Sequence, residues 1–76
     1  MAFDYSKLRG RIIEKFGTYT AFAKVLGISK HSMSQKLSGK MAITTDDIRK
    51  WSKAEYLDIG AEDIGVYFFK IKVQDN

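Results

Sequence analysis

The chain has 76 residues and a mass of 8.7 kDa, which fits one small domain over residues 1–76. It has no cysteine, which excludes disulfides, iron–sulfur clusters and thiolate zinc sites. No apolar run approaches the roughly 20 residues that a membrane-spanning helix needs, and the first residues lack the pattern of an export signal. We therefore expect a domain held by core packing, located in the cytoplasm of a bacterial host and without membrane contact.

The charge is distributed unevenly along the chain. Residues 1–40 contain eight Lys or Arg and two acidic residues, which gives a net charge of +6. Residues 41–76 contain five Lys or Arg and seven acidic residues, which gives a net charge of −2. A polyanion should therefore prefer the first half. A solvated face with uneven charge explains the same numbers, so charge alone does not establish a nucleic-acid surface.

An amphipathic first helix is predicted over residues 5–16, because apolar side chains recur there every three or four residues. Asp4 precedes this segment as a candidate N-cap, and Gly17 follows it as a stop signal. We expect its apolar side chains to contribute to the core. They are Tyr5, Leu8, Ile12, Ile13 and Phe16.

Two short helices, separated by Gly27, are predicted next. Thr18 is a good N-cap for the second helix, and Ser29 is a good N-cap for the third. The third helix has only two apolar positions, Met33 and Leu37, among polar side chains. Its broad polar face either meets water or was selected for a polar ligand.

The second half of the chain predicts two helices and a strand. Thr44 or Thr45 can cap a fourth helix, and a short fifth helix is expected at residues 61–67. Over about residues 67–73, alternating apolar and lysine residues predict a β-strand. An isolated strand is unstable, so it must pair with residues 1–3, with its copy in a homodimer, or with another protein. The expected buried residues of the fourth helix are Ile48, Trp51, Ala54 and Leu57.

The sequence favours a binding function over catalysis. His31 is the only histidine, and no Cys, Asp or Glu lies near it at a metal-ligand spacing. There is no nucleophile–base pair and no glycine loop that could hold a phosphate. Trp51 is better explained as a core residue than as a stacking platform for a base, because it shares the apolar stripe of Ile48. We expect no enzymatic activity, no metal and no cofactor.

Residues 18–38 have the pattern of a helix-turn-helix. Ala23 supplies a small residue where the two helices cross, and Gly27, four residues later, permits a tight turn. Residues 18–35 resemble the Cro and repressor family of phage helix-turn-helix proteins. The sequence departs from that family at Lys36, where an apolar residue is usual, because the apolar residue here is Leu37. This departure indicates a slightly rotated third helix.

The resemblance extends over nearly the whole chain. Residues 3–10, residues 14–18, and residues 67–69 with 72–74 are similar to a family of short phage proteins from Gram-positive hosts. That family is catalogued as a domain of unknown function and includes the lactococcal modulators of repression. The resemblance implies a mainly α fold, namely a four- to five-helix bundle of the phage Cro/repressor helix-turn-helix type with a short C-terminal β-strand.

The same resemblance implies that the third helix enters the major groove of double-stranded DNA. Glutamine can pair with adenine, and lysine can donate to guanine, so this helix could distinguish bases. The matching base-contacting residues are Lys30, His31, Ser34 and Gln35. The implied phosphate contacts are Tyr19, Ser32, Ser38 and Lys40, with weaker attraction from Arg9, Arg11 and Lys24.

Two functions remain open at this point. In the first, the chain is a phage or prophage transcriptional regulator that binds operator DNA and takes part in the lysis/lysogeny decision, and the C-terminal strand is a candidate for forming a homodimer. In the alternative, it is an antirepressor, a modulator of repression that acts mainly by binding a phage repressor protein. The basic first half favours DNA, whereas an acidic stretch favours a protein partner. The acidic residues are Glu55, Asp58, Glu62 and Asp63.

Overall fold

The computed structural model describes residues 3–71 and is mainly helical. None of the helices in this range is long and apolar enough to cross a membrane. The elements in chain order are α1 (Ser6–Phe16), α2 (Tyr19–Leu26), α3 (Lys30–Leu37), α4 (Thr45–Trp51), a 3₁₀ turn (Ala61–Asp63) and α5 (Ile64–Phe68).

Side-chain caps and a glycine set the bounds of α2 and α3. The hydroxyl of Thr18 accepts a hydrogen bond from the backbone N–H of Ala21, and that of Ser29 accepts one from Ser32. Each bond satisfies a backbone donor at a helix start that has no partner within the helix. Gly27 ends α2 with φ 77°, in the left-handed region where a Cβ atom would be strained. The predicted helices and the turn between them are confirmed.

Asp4 holds the start of α1 from one position earlier than a standard N-cap. Tyr5 occupies the N-cap position and provides no side-chain hydrogen bond, while the Asp4 carboxylate accepts a bond of 2.9 Å from the backbone N–H of Ser6. The Ser6 hydroxyl also donates to this carboxylate. These hydrogen bonds from Ser6 lower the pKa of Asp4.

The core is built around an aromatic cluster to which several helices contribute. Phe22 of α2 is fully buried, and its ring centroid lies 4.9 Å from that of Phe16 and 5.3 Å from that of Trp51. The ring centroid of Trp51 in turn lies 6.3 Å from that of Phe68 in α5. Aromatic pairs at these distances add attraction beyond the area that they bury. The other fully buried large side chains are Leu8, Ile12, Met33 and Leu57.

The fourth helix is shorter than its apolar pattern indicates. It ends at Trp51, Ala54 is exposed, and Leu57 reaches the core from a loop. That loop folds back on the helix, where the backbone N–H of Leu57 donates to the carbonyl of Trp51 at 2.9 Å. The guanidinium of Arg11 fixes the loop from the other side, since Nε donates to the Leu57 carbonyl at 2.8 Å and an Nη to the Asp58 carbonyl at 3.0 Å.

The strand predicted over residues 67–73 is wrong for the part of it that the structure describes. Tyr67 and Phe68 belong to α5, and Phe68 is buried against Trp51. The alternating pattern is typical of a strand, but a helix at this position buries Phe68 in the core, and that burial favours the helix. Ile71 forms an antiparallel bridge with Phe3, the one residue pair between the two segments within residues 3–71. Residues 72–73 lie outside the described residues.

The structure shows no strand within residues 67–71 that could join two copies of the chain. Within residues 67–71, the segment offers one bridge and no ladder. Phe3, Phe69 and Ile71 remain partly exposed there, and the rings of Phe3 and Phe69 pack edge to face at 5.8 Å.

Candidate functional site

Helix α3 presents its four predicted base-contacting residues to different extents. Lys30, His31 and Ser34 are exposed, whereas Gln35 is half-buried. The carbonyl of Gln35 accepts backbone hydrogen bonds from residues 40 and 41, which fold the chain back over the end of α3. Residues 3–71 contain no group of three or more His, Cys, Asp or Glu that could hold a metal ion, at His31 or elsewhere.

The four predicted phosphate-contacting residues also differ in their availability. Tyr19 and Lys40 are exposed. The hydroxyl of Ser32 accepts a hydrogen bond from the Ser29 hydroxyl within the cap of α3, at 3.0 Å. The Ser38 hydroxyl donates to the carbonyl of Gln35 at 3.1 Å. Ser38 must therefore give up an internal hydrogen bond if its hydroxyl is to donate to a phosphate.

The three weaker cationic candidates occupy different environments. Lys24 is exposed on α2. Arg9 is half-buried and donates one bond, of 3.3 Å, to the carbonyl of Leu37. The guanidinium of Arg11 donates to two loop carbonyls, and it also donates to the carboxylate of Glu14 at 2.7 Å. Arg11 therefore has a structural role in holding the loop.

The departure at Lys36 and Leu37 has a clear structural explanation. Leu37 is buried in the core, while Lys36 lies against α4 with only 12% of its side chain exposed. Its Nζ forms an ion pair with Asp47 and approaches the carbonyl of Ala42 at 3.4 Å. In α3, Lys36 thus contacts a neighbouring helix instead of packing as an apolar residue.

A groove lies between α1, the start of α2 and the outer face of α3. Its volume is about 620 Å³, which is within the usual range for binding sites. The only charged residues that line it are Arg9 and Lys30, both cationic, and neither forms an ion pair within residues 3–71. The lining residues are Arg9, Ile13, Gly17, Thr18, Tyr19, Thr20, Lys30, Ser34, Leu37 and Ser38.

The apolar wall of this groove is the feature that sequence patterning missed. Ile13 was expected in the core, but 44% of it is exposed, whereas its neighbour Ile12 is fully buried. Adjacent helical residues lie about 100° apart, so a narrow core stripe accommodates only one of them. The pair of adjacent isoleucines in the sequence was the signal that one of the two would be exposed. Tyr19, 39% exposed, adds a second apolar surface across the groove.

Comparison with known proteins places this architecture among phage proteins. The structure resembles the solution structure of the modulator of repression of the temperate bacteriophage TP901-1 from Lactococcus lactis, with a TM-score of 0.78. The two chains are 40% identical, and the match covers 97% of each. A search of curated proteins finds no match. The model of one family matches residues 1–71, and the chain therefore belongs to the family described as "Protein of unknown function (DUF739)".

Proposed function

We propose that this chain is a phage regulatory protein that acts by binding a repressor protein. The observation that carries the proposal is the similarity to a modulator of repression along 97% of both chains at 40% identity. A match of that extent supports a shared architecture along the chain. The proposal corresponds to the antirepressor alternative of the sequence analysis.

The shape and chemistry of the groove support a protein partner. Ile13 and Tyr19 expose apolar surface in a concave site, and their burial by a partner would release water from that surface. Phosphate groups would contact Arg9 and Lys30 but would leave the apolar wall without a partner. A protein side chain can satisfy both parts of the site.

The direct test is binding to the purified repressor of the phage that encodes this chain. We expect a complex in calorimetric titration, with a dissociation constant of about 1 μM or lower, as is typical of a specific interface. We also expect release of the repressor from its operator in a gel-shift experiment when the chain is added. The proposal is wrong if the folded chain neither binds the repressor nor alters its occupancy of the operator.

DNA binding is a second candidate function, favoured by the exposure of Lys30, His31 and Ser34 along one helix. In this candidate, α2 and α3 act as a helix-turn-helix, and α3 inserts into the major groove. Two half-sites would require a homodimer, and the exposed side chains of Phe3, Phe69 and Ile71 offer one apolar surface for it.

Selection of duplexes from a randomised DNA pool tests this second candidate. We expect Lys30→Ala to lose or change any enriched motif, because each good base contact contributes roughly 1–3 kcal/mol of discrimination. Lys24→Ala is the matched control, since Lys24 is an exposed lysine on α2 and is not expected to contact bases. Enrichment of no motif by the folded wild-type chain would exclude sequence-specific DNA binding.

A further inference from the structure

We infer that the groove between α1, α2 and α3 binds an acidic amphipathic helix of the repressor. This inference rests on the proposed function and names the kind of surface that the partner presents. It is carried by three properties of the described residues: a concave apolar wall, a charged lining that is entirely cationic, and cations that form no ion pair within residues 3–71.

The apolar part of the site fits side chains from one face of a helix. Ile13 on α1 and Tyr19 on α2 are 44% and 39% exposed, and Leu37 of α3 lies between the helices. A helix presents apolar residues at i and i+3 or i+4, a spacing that lets two of them enter one groove. A partner that covers Ile13 would remove its exposed apolar surface from water.

The charged residues of the site favour a partner surface of negative charge. Lys30 is exposed at the first position of α3, and Arg9 uses only one long hydrogen bond, to the carbonyl of Leu37. A guanidinium has five N–H donors, so Arg9 retains donors for a carboxylate. No acidic residue lines the groove, so Lys30 and Arg9 would attract Glu or Asp beside the apolar anchors of a partner helix.

The experiment measures the affinity of the full-length chain for the purified repressor with two pairs of variants. Ile13→Asp and Lys30→Glu change the groove, while Val25→Asp and Lys24→Glu make the same chemical changes at exposed positions of α2 outside it. We expect both groove variants to bind at least about tenfold more weakly and both controls to stay within about twofold of the wild type. Circular dichroism checks that all four variants are folded.

A second measurement locates the contact without relying on any variant. In a titration of the ¹⁵N-labelled chain with unlabelled repressor, we expect amide shifts to concentrate at Ile13, Tyr19 and Ser34, which line the groove. If the wild type binds and the groove variants bind equally well, this inference is overturned while the proposed function stands. If the wild type does not bind the repressor, the proposed function itself fails. If the groove variants instead lose affinity for duplex DNA alone, the groove contacts phosphate and the inference is also wrong.

Discussion

Replacing Phe22 with alanine is expected to lower the free energy of unfolding by about 3–5 kcal/mol. The reason is that Phe22 is fully buried and its ring contacts those of Phe16, Trp51 and Tyr56, so its loss leaves a cavity at the centre of the aromatic cluster. A domain of this size has a small stability margin, so the variant should be largely unfolded at physiological temperature. Urea denaturation followed by the fluorescence of Trp51 measures the change.

Val25→Ala is the matched control for this prediction, because Val25 lies on the same helix and is 51% exposed. We expect it to change the free energy of unfolding by no more than about 0.5 kcal/mol. Equal effects of Phe22→Ala and Val25→Ala would contradict the position of Phe22 at the centre of the core.

The second large effect is expected at Asp47, where we predict that Asp47→Ala lowers the free energy of unfolding by about 2–3 kcal/mol. The Asp47 carboxylate accepts a bond of 3.0 Å from the backbone N–H of Thr44 and completes a capping box with that residue. It also pairs with Lys36, whose side chain is only 12% exposed and would lose its partner. Chemical denaturation of the two proteins at neutral pH measures the difference.

Asp46→Ala provides the control in the same helical turn. The side chain of Asp46 is 95% exposed, and its only ion pair within residues 3–71 is a 4.0 Å contact with Arg49. Exposed pairs of this kind contribute about 0–1 kcal/mol, so we expect a small effect. A loss at Asp46 as large as that at Asp47 would show that general charge near the start of α4 matters more than the capping box and the pair with Lys36.

Asp47 should also account for part of the acid sensitivity of the protein. Burial by itself would raise the pKa of its carboxyl, but the hydrogen bond and charge of Lys36, together with the bonds from Thr44, lower it below the ordinary value of 3.8. A depressed pKa in the folded state contributes stability that is present above the unfolded value and lost as pH falls through the folded value. Asp47→Ala lacks this carboxyl, so the difference in stability between the two proteins should shrink as the pH falls below 3.8.

Local chemistry explains most of the helical content that the sequence predicted. Thr18 and Ser29 could be recognised as N-caps, and Gly27 as a helix stop, because each acts on backbone groups a few residues away. The third helix was likewise expected to be mostly polar, and its exposed residues lie on an outer face. These features depend on hydrogen bonds and steric preferences between residues that are close in sequence, so they can be predicted from the sequence.

Other positions were decided by packing between segments distant in sequence. Ile12 and Ile13 are both apolar, and only the orientation of α1 against the core determines that the second lines a groove. The end of the chain combines an alternating pattern with a helical spacing between Ile64 and Phe68, and the burial of Phe68 against Trp51 favours the helix. Periodicity alone cannot separate two patterns in so short a segment.

The sequence by itself determined a small, cysteine-free, mainly helical chain with a basic first half and a polar third helix, because composition and local capping are properties of neighbouring residues. Only the tertiary structure decided that Lys36 turns inward to Asp47 and that Arg9, Ile13 and Lys30 line one groove. These residues are distributed over α1, α3 and α4, so their proximity depends on how the helices pack. The surface on which the proposed function rests is therefore a product of packing.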